Sequence, residues 1–452
     1  MGLLPLNYRR PEYVDREEFR QREMSVGSDD KRNASLESGR SGASQGIPDA
    51  LAFDKIMAGG TCPPCTVRDF MNYLIYIEHA AENLQFFLWY RDYAKRFDEA
   101  PASETVLAPE WTQEMEEDTI AKIQRDAAGK AKKGSMPAMS IFKDTDFEAP
   151  PAISVENRDP FATPPRSSAG DSDSLSSSQA TTVVSQTGDA FSAAGVKRPF
   201  TIQPFRSEIN RVISTYIVDG APRQLNLSAR EQKAVVQALS YTTHPSALRT
   251  LSRNIENTLR RQAHPNFIRW TICNGNPARV TFARGLGVSS LLLALAGSVV
   301  TTLSSADRGW RALFAVLWVF GIATLMTAIK GMCVVLHGLH HRHVRPWELF
   351  IDSGSDSDAH GYGYGYGYGY GHAGKRSFDS FDSSNSYEDE PWVVRYQRRF
   401  YVRRVFDREV WIQEPALRQI QDTIFLQSML SALLGAGVLT AIFVAVPGGG
   451  FF

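Results

Sequence analysis

TVRDFMNYLIYIEHAAENLQFFLWYRDYAK, residues 66–95, sets Phe70, Tyr73, Leu74, Ile77, Ala81, Leu84 and Leu88 on one apolar stripe of a helical pattern. Thr66 followed by Asp69 has the form of an N-cap with an acidic residue in the first turn. The polar pair Glu82-Asn83 separates two heavily apolar segments, and asparagine favours caps and turns over helix interiors. This predicts two consecutive helices with a short joint at Glu82-Asn83. A helix pair serving only as core would need no polar joint, so this pair marks a candidate binding edge.

Working outward, residues 1–48 end in a Ser/Gly/Asp/Arg-rich run and read as a disordered tail. Residues 49–278 read as one helical domain, with core segments 49–98 and 200–278 around a low-complexity insertion at about 100–199. Within that insertion residues 110–131 have the pattern of a charged surface helix, and the Ser/Pro/Asp-rich remainder reads as disordered. Beyond it Phe205, Ile209, Val212, Ile213, Tyr216 and Ile217 return to helical spacing. Ser228 with Glu231 forms a capping-box pattern, and Leu248, Leu251, Ile255 and Leu259 share a further helical face. No segment alternates as a strand does, so the expected fold class is all-α.

Residues 285–304, 311–330 and 423–446 are apolar stretches long enough to cross a ~30 Å hydrocarbon core. The arginines ahead of the first and third stretches predict a cytosolic N-terminal region and a cytosolic loop 331–422, with the C-terminus outside. The plasma membrane is the expected location. The stretches lack acidic residues, which argues against a transport pathway. Ser431, Ala432, Gly435 and Ala436 instead offer a small-residue edge for helix packing, homo-oligomerisation or a second membrane protein.

The 49 basic and 49 acidic residues cancel, which removes the global electrostatic case for nucleic acid. Cys62 and Cys65 have no second CxxC to complete a zinc site. His337, His340, His341, His343, His360 and His372 read as an interfacial, solvated cluster without the cysteine or carboxylate partners of a metal centre. No metal or cofactor is expected. Residues 361–371 alternate Gly and Tyr, and residues 392–411 interleave aromatics with arginines. The latter segment suits an anionic lipid surface, or packing onto the helical domain.

FMNYLIYIEHAAENLQFFLWYRDY resembles the signature of regulator of G-protein signalling (RGS) domains, in which an apolar helix meets an aromatic one at a Glu-Asn joint. TYIVDGAPRQLNLS resembles the family's segment with an Asn just ahead of an N-cap. A split RGS domain ahead of three spans is also similar to a group of fungal membrane proteins of the bud-site-selection type. The resemblance implies an RGS-like bundle that binds a GTP-loaded Gα subunit and steadies its switch regions. Such a domain has no active site of its own, and it works because GTP hydrolysis depends on positioning and electrostatics. It implies Glu82, Asn83 and Asn226 as Gα contacts, where an amide donates and accepts without adding charge.

The family's third contact patch falls on Thr258, Gln262 and Asn266, where the usual carboxylate is missing. Two functions are therefore expected from the sequence. One is a membrane-tethered GTPase activator. The other is a non-catalytic membrane scaffold or cell-polarity landmark on the same fold.

Overall fold

The computed structural model describes residues 8–26, 46–133, 186–196, 199, 202–351, 393, 396 and 398–450. The helices that matter for the argument are, in chain order, α1 (Arg16–Val26), α2 (Phe53–Met57), α3 (Val67–Tyr73), α4 (Ala81–Asp98), α5 (Gln113–Lys133), α6 (Arg206–Val212), α7 (Ala229–Tyr241), α8 (Arg249–Thr258) and α9 (His264–Ile272). The apolar helices follow as α10 (Pro277–Leu303), α11 (Phe314–Ile329) and α13 (Pro415–Ala445), with the short α12 (Val334–Gly338) after α11. Two three-residue strands, β1 (His341–His343) and β2 (Glu409–Trp411), pair antiparallel. The described residues are all-α apart from this ribbon.

Local chemistry sets the boundaries. Thr66 and Asp69 form a complete capping box on α3, and Ser228 and Glu231 form another on α7. Asn276 caps α10 by accepting from Arg279 N at 2.7 Å, and Pro277 follows at the first helical position. That cap starts the helix eight residues ahead of the apolar stretch expected at 285–304. Glu414 caps α13 in the same manner ahead of Pro415, so this helix too begins well before residue 423.

The chain divides into two compact units: Met1–Leu84 with Ile255–His372 and Asn385–Phe452, and Gln85–Asn254 with Ala373–Ser384. The breaks at Leu84/Gln85 and Asn254/Ile255 fall inside helices α4 and α8 and divide the stretch 49–278 between the two units. In the second unit aromatic residues of α4 supply the core. Phe86 meets Tyr216 edge-on at 5.8 Å, and Tyr93 and Phe97 pack on Phe205. Glu208 accepts from Trp89 at 2.7 Å and takes a two-pronged bond from Arg96 at 2.6 and 2.9 Å. Helix α5 is the charged helix expected at 110–131, and Trp111 and Thr119 are buried. Residues 186–193 are also helical, with Phe191 buried, so the insertion is structured at both ends. The Ser/Pro-rich stretch 134–185 lies outside the described residues.

In the first unit Phe53, Phe70, Tyr73, His264, Phe267 and Trp270 form a ring cluster. Polar bonds tie this cluster to the apolar helices. Cys62 N donates to Glu414 Oε2 at 2.8 Å, and Pro63 O accepts from the amides of Gln413 and Glu414. Gln421 Nε2 donates to Ile272 O at 3.1 Å, and Asn274 Oδ1 accepts from Cys333 N at 2.8 Å. Buried His343 has its pKa pushed down to about 4 by desolvation, so its neutral Nε2 accepts from Asn276 at 2.9 Å.

Three helices, over Pro277–Leu303, Arg308–Ile329 and Pro415–Ala445, are long and apolar enough to cross a membrane. Helix α11 packs against both α10 and α13. Their outward side chains, among them Leu293, Val316, Leu434 and Val438, are exposed, as lipid-facing residues are in a protein without its bilayer. Of the small-residue edge on α13, Ala432 and Ala436 are buried inside the chain, and Gly435 lies where a Cβ would sit 3.1 Å from Ile322. Arg311 ends the group by donating to the carbonyls of Phe443 and Val446 at the end of α13.

Gly287 and Gly321 set the approach of α10 to α11: a Cβ on Gly287 would lie 3.1 Å from Leu325 N and 3.2 Å from Gly321 O. We expect Gly287→Val to destabilise the helix trio by about 1–3 kcal/mol. Gly437→Val, where a Cβ meets nothing, should stay within about 0.5 kcal/mol of wild type. Thermal denaturation in detergent measures both.

Candidate functional site

Helix α3 runs into a wider turn over Leu74–Glu78 and stops at His79, whose φ of 50° is left-handed. Histidine is among the few non-glycine residues that tolerate this region. The break therefore falls three residues ahead of the expected joint, and Glu82 and Asn83 stand in the first turn of α4. Both are buried, at 8% and 7% exposure. Arg16 Nη2 lies 3.9 Å from Glu82 Oε1.

The cover over this face comes from the N-terminal segment. Residues 8–14 lie across α9, and the α9 side chain Asn266 holds them. Its Oδ1 accepts from Val14 N at 2.9 Å, while its Nδ2 donates to Val14 O and to Glu78 Oε1, both at 2.8 Å. Arg269 Nη1 donates to Pro11 O at 3.0 Å. Arg10 donates to Lys330 O at 2.7 Å and to Arg269 O at 2.9 Å. Residues 8–26 thus do not belong to a disordered tail: the arginines and backbone of YRRPEYV find fixed partners on α9 and at the end of α11.

Under this strap lies a cavity of ≈180 Å³, lined among others by Arg16, Glu78, Asn83, Thr258 and Gln262. Gln262 is buried, and its Oε1 has no hydrogen-bond partner among the described residues. Tyr73 OH donates to Glu78 Oε1 at 3.2 Å. Burial raises the Glu78 carboxyl above its ordinary 4.5, opposed in part by hydrogen bonds from Asn266 and Tyr73 and by the charge of Arg16.

The structure thus brings Asn83, Thr258 and Gln262 to one cavity, with Glu82 and Asn266 beside it. Asn266 is not an open contact position, because all its polar atoms serve the strap and Glu78. Asn226 belongs to the other compact unit, exposed on the loop ahead of the Ser228 cap. Glu78 and the strap are not marked by any periodicity in the sequence, and Tyr73 figures there only as a member of the apolar stripe; the density of charge and aromatics in YRRPEYVD is the one local signal of the strap.

The histidines also depart from the solvated cluster expected of them. His337 and His343 are buried, at 6% and 1% exposure, because β1 pairs with β2 and α12 packs on α13. His360 and His372, and the Gly-Tyr run, lie outside the described residues. Of residues 392–411, the described part packs onto its own unit: Asn276 donates to Arg404 O, and Tyr401 OH donates to Ala278 O at 3.1 Å. Phe400, Val402 and Phe406 remain exposed. Comparison of the chain with protein-family models, with curated proteins and with solved structures finds no match in any of the three.

A carboxyl whose folded pKa is raised stabilises the fold below its unfolded pKa, and that contribution is lost as pH rises through the folded value. Glu78→Gln keeps an acceptor for Asn266 and Tyr73 without the buried charge. We expect the variant to melt higher than wild type at neutral pH, with the difference shrinking as pH falls toward the ordinary carboxylate range. Melting curves across pH check this; a variant that melts lower at neutral pH contradicts it.

Proposed function

We propose that the chain is a membrane-anchored binding platform, an RGS-like helical scaffold held at the cytosolic face, and not a constitutive GTPase activator. The observation that carries this reading is the burial of Glu82, Asn83, Gln262 and Asn266 beneath the strap. A Gα subunit would have to reach these residues, and in the strapped form they are occupied or covered. The bonds from Cys62, Pro63 and Ile272 to the start of α13, and from Asn274 to the segment after α11, add support. They hold the platform at a set attitude to the bilayer, which suits a landmark better than a freely swinging regulator. The excess of arginines and lysines flanking the spans supports a cytosolic platform and an outside C-terminus. Exposed Phe400, Val402 and Phe406, beside arginines, suit the lipid interface, and the plasma membrane is the compartment we propose.

A second reading has its own observation. Asn83 and Gln262 line a cavity of mixed polarity, with an unused buried acceptor on Gln262, and Asn226 is exposed. On this reading strap release uncovers an amide-bearing face that receives GTP-bound Gα and steadies its switches.

Single-turnover GTP hydrolysis by Gα subunits, with the full chain in nanodiscs, separates the two. The platform reading expects no acceleration by the intact chain. The second expects about tenfold or more, some 1.4 kcal/mol of barrier, once residues 1–15 are removed, and loss of that gain with Asn83→Ala. Equal acceleration with and without the strap contradicts the platform reading; none in either form removes the second.

A further inference from the structure

Away from the strapped face, three metal-ligating side chains converge from separate segments. His337 lies on α12, His340 in the turn behind it, and Asp422 on α13, and their ligand atoms all lie within 4.8 Å of one another. His337 Nε2 stands 3.5 Å from Asp422 Oδ1. That is long for a hydrogen bond, yet close to the edge of about 3.4 Å that metal–ligand bonds of ~2.0–2.1 Å give a tetrahedron. The two imidazole rings meet nearly at right angles, 82°, with centroids 5.9 Å apart.

Little of this donor capacity is spent. His337 Nε2 makes only the long 3.5 Å approach to Asp422, and Nδ1 of His340 is buried with no hydrogen-bond partner among the described residues. Buried polar atoms are seldom left so, since each loses its hydration without compensation. The backbone around His340 is fixed: its φ is 52°, its amide donates to His337 O at 2.8 Å, and its carbonyl accepts from Ile412 N at 2.9 Å. Phe425 closes one side, its ring 4.7 Å from that of His337. His340 and Asp422 are only half-buried, which leaves an entry path.

We propose that His337, His340 and Asp422 form a three-ligand site for a divalent transition metal, zinc by donor set. Two imidazoles and one carboxylate suit zinc and its borderline neighbours; calcium and magnesium favour all-oxygen shells. Three protein donors leave a fourth position for water or an incoming ligand. A bound ion pins α12, and through it the β1–β2 ribbon, to α13. The link is coordination alone and needs no redox step.

The test uses the full chain without a histidine tag, in nanodiscs and stripped by chelator. Zn²⁺ is titrated by calorimetry, and Co²⁺ is substituted and read by its visible d–d absorption. The expected result is a single equivalent per chain and a rise in melting temperature with Zn²⁺. Asp422→Asn and His340→Gln should each weaken binding by at least about tenfold and abolish the melting shift. His341→Gln and the pair Cys62→Ser with Cys65→Ser should leave affinity unchanged. Absence of stoichiometric binding by a wild-type chain with an intact melting transition overturns the proposal. So does affinity unchanged in both Asp422→Asn and His340→Gln, or affinity lost with the cysteine pair.

Discussion

Asn266 closes a ring of hydrogen bonds around the backbone of Val14, and the account of the covered face depends on that contact. One side-chain amide satisfies the amide and the carbonyl of the same residue and still reaches Glu78. Such a pair of bonds copies what a neighbouring strand would offer and specifies residue and register at once. The position is nearly solvent-free, at 2% exposure, so removing the side chain would strand buried groups at roughly 1–3 kcal/mol each. With Val14 fixed, Arg10 and Arg269 hold the strap ahead of it, at residues 10 and 11. Asn83, Thr258 and Gln262 then become the lining of a covered cavity.

The same unit that carries the strap also carries the apolar helices. Arg10 reaches Lys330 at the end of α11, and Gln427 of α13 donates to Tyr8 O at 3.4 Å. Strap, ring cluster and apolar helices therefore belong to one compact unit, tied by these few bonds. The His337–His340–Asp422 cluster sits at the same level of the structure, between the segment after α11 and the start of α13.

Much of the fold was legible because its causes are local. Thr66 with Asp69 and Ser228 with Glu231 announce helix starts within four residues of sequence, and both boxes close as read. The apolar stretches needed only composition, although their helices begin earlier because Asn276-Pro277 and Glu414-Pro415 supply caps outside the apolar run. The helix break falls three residues ahead of Glu82-Asn83, since His79 takes the left-handed turn that glycine or asparagine more often takes. The strap was not legible: Val14 and Asn266 are 252 residues apart, and no periodicity records a bond of that span. The buried histidines were hidden for the same reason, because Asp422 and the β2 strand meet them only in the fold.

Amide hydrogen exchange at Val14, in the full chain held in nanodiscs, tests the covered-face account most directly. The account predicts strong protection of that amide in the wild type and its loss in Asn266→Ala, with α9 itself still protected. An unprotected Val14 amide in the wild-type chain would show that the face is open and contradict the account.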